Sequence, residues 1–430
     1  MATSPDTLRH GRLPARMLLR LAWRNLWRHR RRTLITLASI AAGFGLAVLF
    51  IGLGDGSHNS MVRNAIKLGE GHLTIQPTGY LAAPANHKYL ADGRAITTTL
   101  ERQGIPGEID PRISLQVLAS SARNSAGAAF EGIDPAHDRR SDILAPRLVE
   151  GEWLAAGDGR GIVIGDGMAD RLKVEIGGKV VLMAGDRQGD TQAQLGRVRG
   201  TFDSGVDELD DYLVLGDISL ARQFLVGEGA DAGAQPVTRF AIFLDNEGAM
   251  AEWKARLDQA VGSTTVAVLD WREMMPQLVQ FILIDDAGNY VFLVLILIMV
   301  VFGILNTVLM SVLERSREFG LLRALGIGRT QLLLLVCCES LLLAMLAVAA
   351  GWAVGGGVHL WFSQHGLDLA GLMDEGTSLM GTFMDPVIHT ELSAGRVVQL
   401  TGIVFGATLV SGLYPAIKAS RVTPVEALRT

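Results

Sequence analysis

The chain has 430 residues, 49% of them hydrophobic, with two cysteines and a formal net charge of −5. That length leaves room for two domains or more, and the apolar excess is gathered into a few blocks, which argues against an ordinary soluble enzyme. Cys337 and Cys338 are adjacent and point about 100° apart on a helix, which excludes a disulfide or metal pair and leaves small apolar filling as their role.

Residues 1–33 contain nine arginines and no lysine. From Ala15 onward, Met17, Leu18, Leu21, Ala22, Leu26 and Trp27 share one helical face, and Arg16, Arg20, Arg24 and Arg28 repeat every four residues on another. The pattern predicts a basic amphipathic helix lying in a headgroup layer. Apolar runs follow at 34–54, 288–313, 331–362 and 395–417. About 20 such residues at 1.5 Å each cross a bilayer, so four transmembrane helices are predicted. Basic residues cluster before the first run, between the second and third (Arg315, Arg317, Arg323, Arg329) and after the fourth (Lys418, Arg421, Arg429). The positive-inside rule then puts both termini and the 314–330 and 418–430 segments in the cytoplasm. The outer loop at 363–394 and the large region 55–287 face outward.

Residues 55–287 hold 22 basic and 34 acidic side chains, a balance that speaks against nucleic-acid binding and suits solubility or a basic partner. Alternation marks strands near 71–76, 117–121, 128–132, 161–164, 179–183, 194–201, 211–215 and 239–244. Helical patterns fall at 95–103, 167–172, 218–225 and 248–261, and the Gly/Ala-rich stretch 227–235 reads as a loop. The fold class is therefore a membrane α-helical unit of four transmembrane helices. A large α+β extracytoplasmic domain is inserted between helices 1 and 2, with a subdomain at about 126–235.

An ATP site is missing from the pattern. Gly177-Gly178-Lys179-Val180 is the nearest string to a P-loop, yet position 173 is a lysine and no Ser or Thr follows Lys179. No His-Glu-x-x-His or Gly-x-Ser-x-Gly string occurs, and His58, His72 and His87 lie in unpatterned segments, so neither a catalytic site nor a metal site is expected.

Glu314-Arg-Ser-Arg-Glu-Phe-Gly-Leu-Leu-Arg-Ala-Leu-Gly326 sits between two apolar runs. Glu314, Arg315, Arg317 and Glu318 are too costly to leave in hydrocarbon and anchor the end of the second helix at the interface. Gly320 and Ala324 offer a flat patch, Arg323 a fork for a carboxylate or carbonyl, and Gly326 a helix stop. Glu339 lies about 12 Å into the third helix and Asn306 lies within the second. Both are intramembrane polar groups that mark a functional or packing role.

This string resembles the cytoplasmic coupling segment of the MacB/FtsX/LolC-E superfamily of ABC-transporter permeases. The chain end, Tyr414-Pro-Ala-Ile-Lys-Ala-Ser-Arg-Val-Thr-Pro-Val-Glu-Ala-Leu-Arg429, resembles the signature that closes that superfamily. Phe202–Asp210, with Asp203, Gly205 and Asp210, followed by Ala221–Leu225, resembles the lipoprotein-releasing LolC/LolE branch. The resemblance implies an inner-membrane permease that is not itself an enzyme. A separate cytoplasmic ATPase dimer would bind ATP and magnesium. A second permease, of the same or a homologous chain, would complete the assembly, with membrane lipids and a periplasmic carrier or adaptor as further partners. It also implies lever-like mechanotransmission, with lipidated cargo entering a cleft lined here by Phe44, Val48 and Ile51 of the first helix and Phe292, Met299, Phe302 and Leu305 of the second. MacB-like export and FtsX-like signalling to a cell-wall enzyme stay open.

Overall fold

The computed structural model describes residues 14–185, 191–226, 235–324, 327–368, 378–379, 382–383 and 387–421. They fall into two compact units. One draws on residues up to His58, on Leu283–Asp368 and on the chain from Val387, and the other on Asn59–Ile282 and 369–386.

Four helices are long and apolar enough to cross a membrane, with bounds Arg30–Ala65, Pro276–Glu314, Arg329–His365 and Ala394–Ser420; they are called the first to fourth spans. Each exceeds the roughly 20 residues a bilayer requires. Their shared core holds Ile40, Phe44, Val48, Leu293, Val300, Leu343, Ala347, Leu400 and Val404. Small residues set the spacing. A Cβ on Gly351 would lie 2.2 Å from the Phe44 ring, and one on Gly355 would lie 2.9 Å from the Gly45 Cα. The Gly351-x-x-x-Gly355 seam therefore lets the first and third spans approach closely. Burial is uneven: the apolar stretch of the first span is the most buried of the four and that of the second the least.

Among the described residues the other unit has a sheet of ten strands, β1 (Leu73–Pro77), β2 (Gly107–Ser120), β3 (Ser125–Ile133), β4 (Leu148–Gly151), β5 (Gly161–Gly165), β6 (Lys179–Gly185), β7 (Thr191–Phe202), β8 (Leu213–Asp217), β9 (Arg239–Leu244) and β10 (Val266–Asp270). They join in the order β10-β1-β9-β2-β3-β8-β5-β7-β4, with β6 paired to β2 and β7. β2 is the hinge of this arrangement. Gly107–Arg112 pairs with β9, while Ile113–Ser120 pairs with β3, so one long strand serves two cores. One core gathers Leu73, Ile75, Phe240, Ile242 and Leu257, the other Leu115, Phe130, Ile162, Leu182 and Phe224. β1 and β9 are buried along their whole lengths, as expected of strands covered on both faces. The sequence pattern found only the end of β2, from Val117, because Glu108, Asp110 and Arg112 hide its start. It missed the short β4 and β10 altogether.

Those hidden charges form a buried lock. Arg112 is fully buried and donates to both Asp138 oxygens at 2.8 and 2.9 Å, to Asp110 at 3.1 Å and to the Gly69 carbonyl. Asp138 in turn accepts from Arg140 N and caps the helix Arg139–Leu144. Every charge has a partner, the condition on which a buried ion cluster is tolerated.

Candidate coupling site

The second span stops at Glu314 and a separate helix, Ser316–Ala324, begins after the break at Arg315. The break turns Arg315 inward. Its side chain is 7% exposed, and Nη1 donates to both Glu339 oxygens at 3.0 and 3.2 Å. Nε lies 3.4 Å from Glu318, and the guanidinium stands over the Phe319 ring at 5.0 Å. Glu339 of the third span also accepts from Asn25 Nδ2 at 2.7 Å. Fully buried Phe319 packs with Val312, Leu332, Val336 and Ala416 and seats the short helix on three spans.

The two outer glutamates meet the basic N-terminal segment. Arg32 donates to Glu314 through both terminal nitrogens at 2.6 and 2.8 Å, and Arg28 donates to Glu318 at 2.5 Å. Burial pushes the Glu318 carboxyl up, but the hydrogen bonds from Arg28 and Arg315 outweigh it and hold it below the ordinary glutamate range. The helix Ala15–Leu26 bears on the third span through Leu18 and Ala22, which meet Leu335. Arg28, Arg32 of the first span and Glu339 of the third span thus hold the segment 314–324, while Arg317, Leu321 and Ala324 face outward.

A family model described as the MacB-like periplasmic core domain matches residues 33–260, and one described as the FtsX-like permease C-terminal domain matches 290–424. The chain belongs to the MacB/FtsX superfamily of ABC-transporter permeases. The lipoprotein-releasing system transmembrane protein LolC of Neisseria meningitidis is 24% identical over 345 residues, 77% of this permease and 80% of the relative. An uncharacterized ABC transporter permease of Methanocaldococcus jannaschii is 22% identical and covers 96% of this permease and 97% of its own length. The macrolide export ATP-binding/permease protein MacB of Hyphomonas neptunium is 24% identical over 95% of this permease and 60% of its own length.

Several sequence expectations for the permease need correction. Arg315 and Gly320 are buried, so neither presents itself to a soluble partner. The flat patch expected of Gly320 with Ala324 reduces to the exposed Ala324, because Phe319 and Gly320 form the inner face of the helix. Arg323 is half-buried, and Gly326 lies outside the described residues, as do residues 422–429 of the chain-end motif and most of the 227–235 loop. In the expected cleft, Phe44, Val48 and Ile51 are buried within the four-span core, drawn in by the Gly351–Gly355 seam. Met299 and Phe302 are instead 63% and 66% exposed, Phe292 borders on exposed at 36%, and Leu305 is half-buried. Asn306, marked in the sequence as an intramembrane polar group with a functional or packing role, is on the exposed face of the second span.

The turn Asp203–Asp210 is a structural lock. Asp210 is buried, and both of its oxygens accept from Ser204 N at 3.0 and 3.1 Å. Gly205 adopts φ +76°, the left-handed region glycine favours, and donates to Asp203.

Three sets of residues escaped the sequence reading. Asn25, Arg28 and Arg32 had a usable signal: the four-residue spacing Arg28–Arg32 matches Glu314–Glu318 in reverse order. The Gly351–Gly355 seam was a second. The third lies toward the other end of the spans, where Arg396 bonds Asp55 at 3.1 and 3.2 Å, Asp286 at 3.1 Å and the Tyr290 hydroxyl at 2.5 Å, tying together the first, second and fourth spans.

Proposed function

We propose that this chain is the permease subunit of an ABC transporter whose ATP-hydrolysing domains reside on a separate cytoplasmic dimer. The observation that carries the reading is the helix Ser316–Ala324. Its inner face is clamped to the spans through Arg315–Glu339, Arg28–Glu318 and Phe319, and its outer face leaves Arg317, Leu321 and Ala324 exposed. A push on the outer face is passed to the second, third and fourth spans at once, because the Arg315–Glu339 pair and the buried Phe319 ring leave it no independent motion. In this reading both termini are cytoplasmic, and two permeases, identical or homologous, stand over the ATPase dimer. The spans act as levers on the periplasmic domain.

Extraction of lipidated cargo is supported by the LolC relative, aligned over 80% of its length. The exposed apolar face of the second span, with Phe292, Met299 and Phe302, is the remaining candidate for cargo contact. Export aided by a periplasmic adaptor is the second reading, favoured by the MacB relative that aligns with 95% of this chain.

Native purification of the tagged chain in nanodiscs, with mass spectrometry of proteins, acylated peptides and lipids, tests both. A co-purifying ATPase with acylated peptides is expected for lipoprotein extraction. An ATPase with an adaptor and no acylated peptide moves the assignment to export. Absence of any ATPase, or its undiminished recovery with Arg317→Glu/Leu321→Glu, overturns the coupling assignment.

A further inference from the structure

We infer that the helix Ala15–Leu26 carries a binding site for anionic phospholipid headgroups, formed by Arg16, Arg20 and Arg24. The inference goes beyond transport and does not depend on the identity of the cargo or the ATPase. The helix is fixed by its opposite face: Leu18 and Ala22 are buried against Leu335 of the third span. That packing leaves Arg16, Arg20 and Arg24 exposed, one turn apart. With Pro14, Met17 and Leu21 they form one open patch on the helix surface.

The arginines of this segment fall into two classes. Arg28 and Arg32 are spent on Glu318 and Glu314. Arg16, Arg20 and Arg24 have no carboxylate within salt-bridge distance among the described residues. Guanidinium groups fit phosphate oxygens through paired N–H bonds, so the ladder is complementary to a row of phosphates.

The apolar neighbours narrow the choice of occupant. Met17, Leu19 and Trp23 are 49%, 43% and 47% exposed on the same helix. A free phosphate would cover none of that surface, whereas a phospholipid offers an anionic head for the arginines and acyl chain for the apolar side chains. The site also has a route to the coupling helix. Arg24 precedes Arg28 by one turn, and Asn25 between them bonds Glu339, so a lipid that steadies the ladder steadies the clamp on the segment 314–324.

The test uses the purified full chain in mild detergent, titrated with dioleoyl phosphatidylglycerol or dioleoyl phosphatidylcholine, with retained lipid counted by native mass spectrometry. The wild type is expected to retain phosphatidylglycerol about tenfold or more over phosphatidylcholine, given severalfold per arginine near an anionic surface. The preference should shrink as salt rises. R16Q/R20Q/R24Q should bring it to within about twofold, while Arg28→Gln, whose partner is protein, should leave it intact. R16K/R20K/R24K should keep most of the preference, which separates loss of charge from loss of the helix. If the triple glutamine variant melts early, Arg20→Gln alone should give a partial loss. Equal retention of the two lipids by the wild type, or an unchanged preference in the triple variant, overturns the site. So does a triple variant that loses a co-purifying protein while its lipid preference persists.

Discussion

Arg112 and Arg315 are both buried, both forked onto carboxylates and both stacked near a phenylalanine, yet they do different work. Arg112 finds its partners within one domain: Asp110 two residues away, Asp138 at the start of a nearby helix and the Gly69 carbonyl. Arg315 sits at a helix break and meets Glu339 of the third span and Glu318 of the short helix, while Asn25 shares the same carboxylate. The first cluster closes a fold on itself. The second ties elements that enter from different parts of the chain, and its removal releases one from another. Burial alone therefore does not say whether an ion cluster is a staple or a joint; the origin of the partners does.

The largest effect is expected at the staple. Arg112→Met leaves Asp110 and Asp138 together without their cation, and breaking a buried pair from one side costs about 3–5 kcal/mol. Thermal unfolding of the full chain in detergent should show the soluble domain melting early or not folding. Adding Asp138→Asn, which keeps an oxygen for the Arg140 cap, should recover part of the loss. A wild-type melting curve for Arg112→Met would mean that the cluster contributes nothing.

At the joint the effect on stability is smaller and the pattern is diagnostic. Arg315→Gln strands the Glu339 carboxylate, and Glu339→Gln removes the guanidinium's main charged partner, so R315Q/E339Q should cost less than the sum of the two single variants. A coupling of about 2 kcal/mol is reasonable for groups in direct contact. The double variant should still fold, yet ATP turnover by the assembled transporter should no longer respond to the state of the permease. Additive losses, or normal coupling in the double variant, would reduce Arg315 to ordinary packing.

The contrast also explains what the sequence could and could not reveal. The spans were legible because hydrophobic length is a one-dimensional property. The segment 314–324 was legible as a charged break because charge between two spans has few places to go. Asp110 and Arg112 concealed the start of β2, since alternating charges look like surface until a neighbour such as Asp138 neutralises them. Phe44, Val48 and Ile51 could not be assigned to a face by composition, because lipid, cargo and core all accept the same side chains. The glycines at 351 and 355, which decide it, lie three hundred residues away. Arg28 read as part of the same basic face as Arg16, Arg20 and Arg24, and only three-dimensional proximity to Glu318 separates it from them.

A third measurement concerns acidity within the soluble domain. Burial, against the pull of their hydrogen bonds, raises the carboxyls of Asp110 and Asp210 to about 6. A folded-state pKa above the unfolded one means that the folded state holds the proton more tightly. Their contribution to stability is therefore present in full below about pH 4, the unfolded range, and is lost as pH rises through about 6. Asp210→Asn keeps an oxygen to accept from Ser204 N but removes the titration. The difference in melting temperature between variant and wild type should accordingly widen in the variant's favour from pH 4 to pH 6 and then stay level. A difference that does not change with pH would show that Asp210 titrates alike in both states.

The smallest expected change in stability is at the rim of the joint. Arg28 and Glu318 are 54% and 40% exposed, and such pairs contribute about 0.5 kcal/mol once solvent and side-chain entropy are counted. Glu318 also lies 3.4 Å from Arg315, so Glu318→Gln should cost somewhat more than Arg28→Gln. The functional consequence need not follow that ranking. Arg28 is an ionic link between the N-terminal segment and the short helix, and a link that hardly stabilises the fold can still transmit a displacement. Arg28→Gln should leave the melting temperature within about a degree or two, as expected for an exposed pair in a chain this long. It should nonetheless lower permease-stimulated ATP turnover severalfold. A loss of stability as large as that of Arg315→Gln would place Arg28 in the structural class with Arg112, and the division between staple and joint would fail at the residue where it makes its most exposed claim.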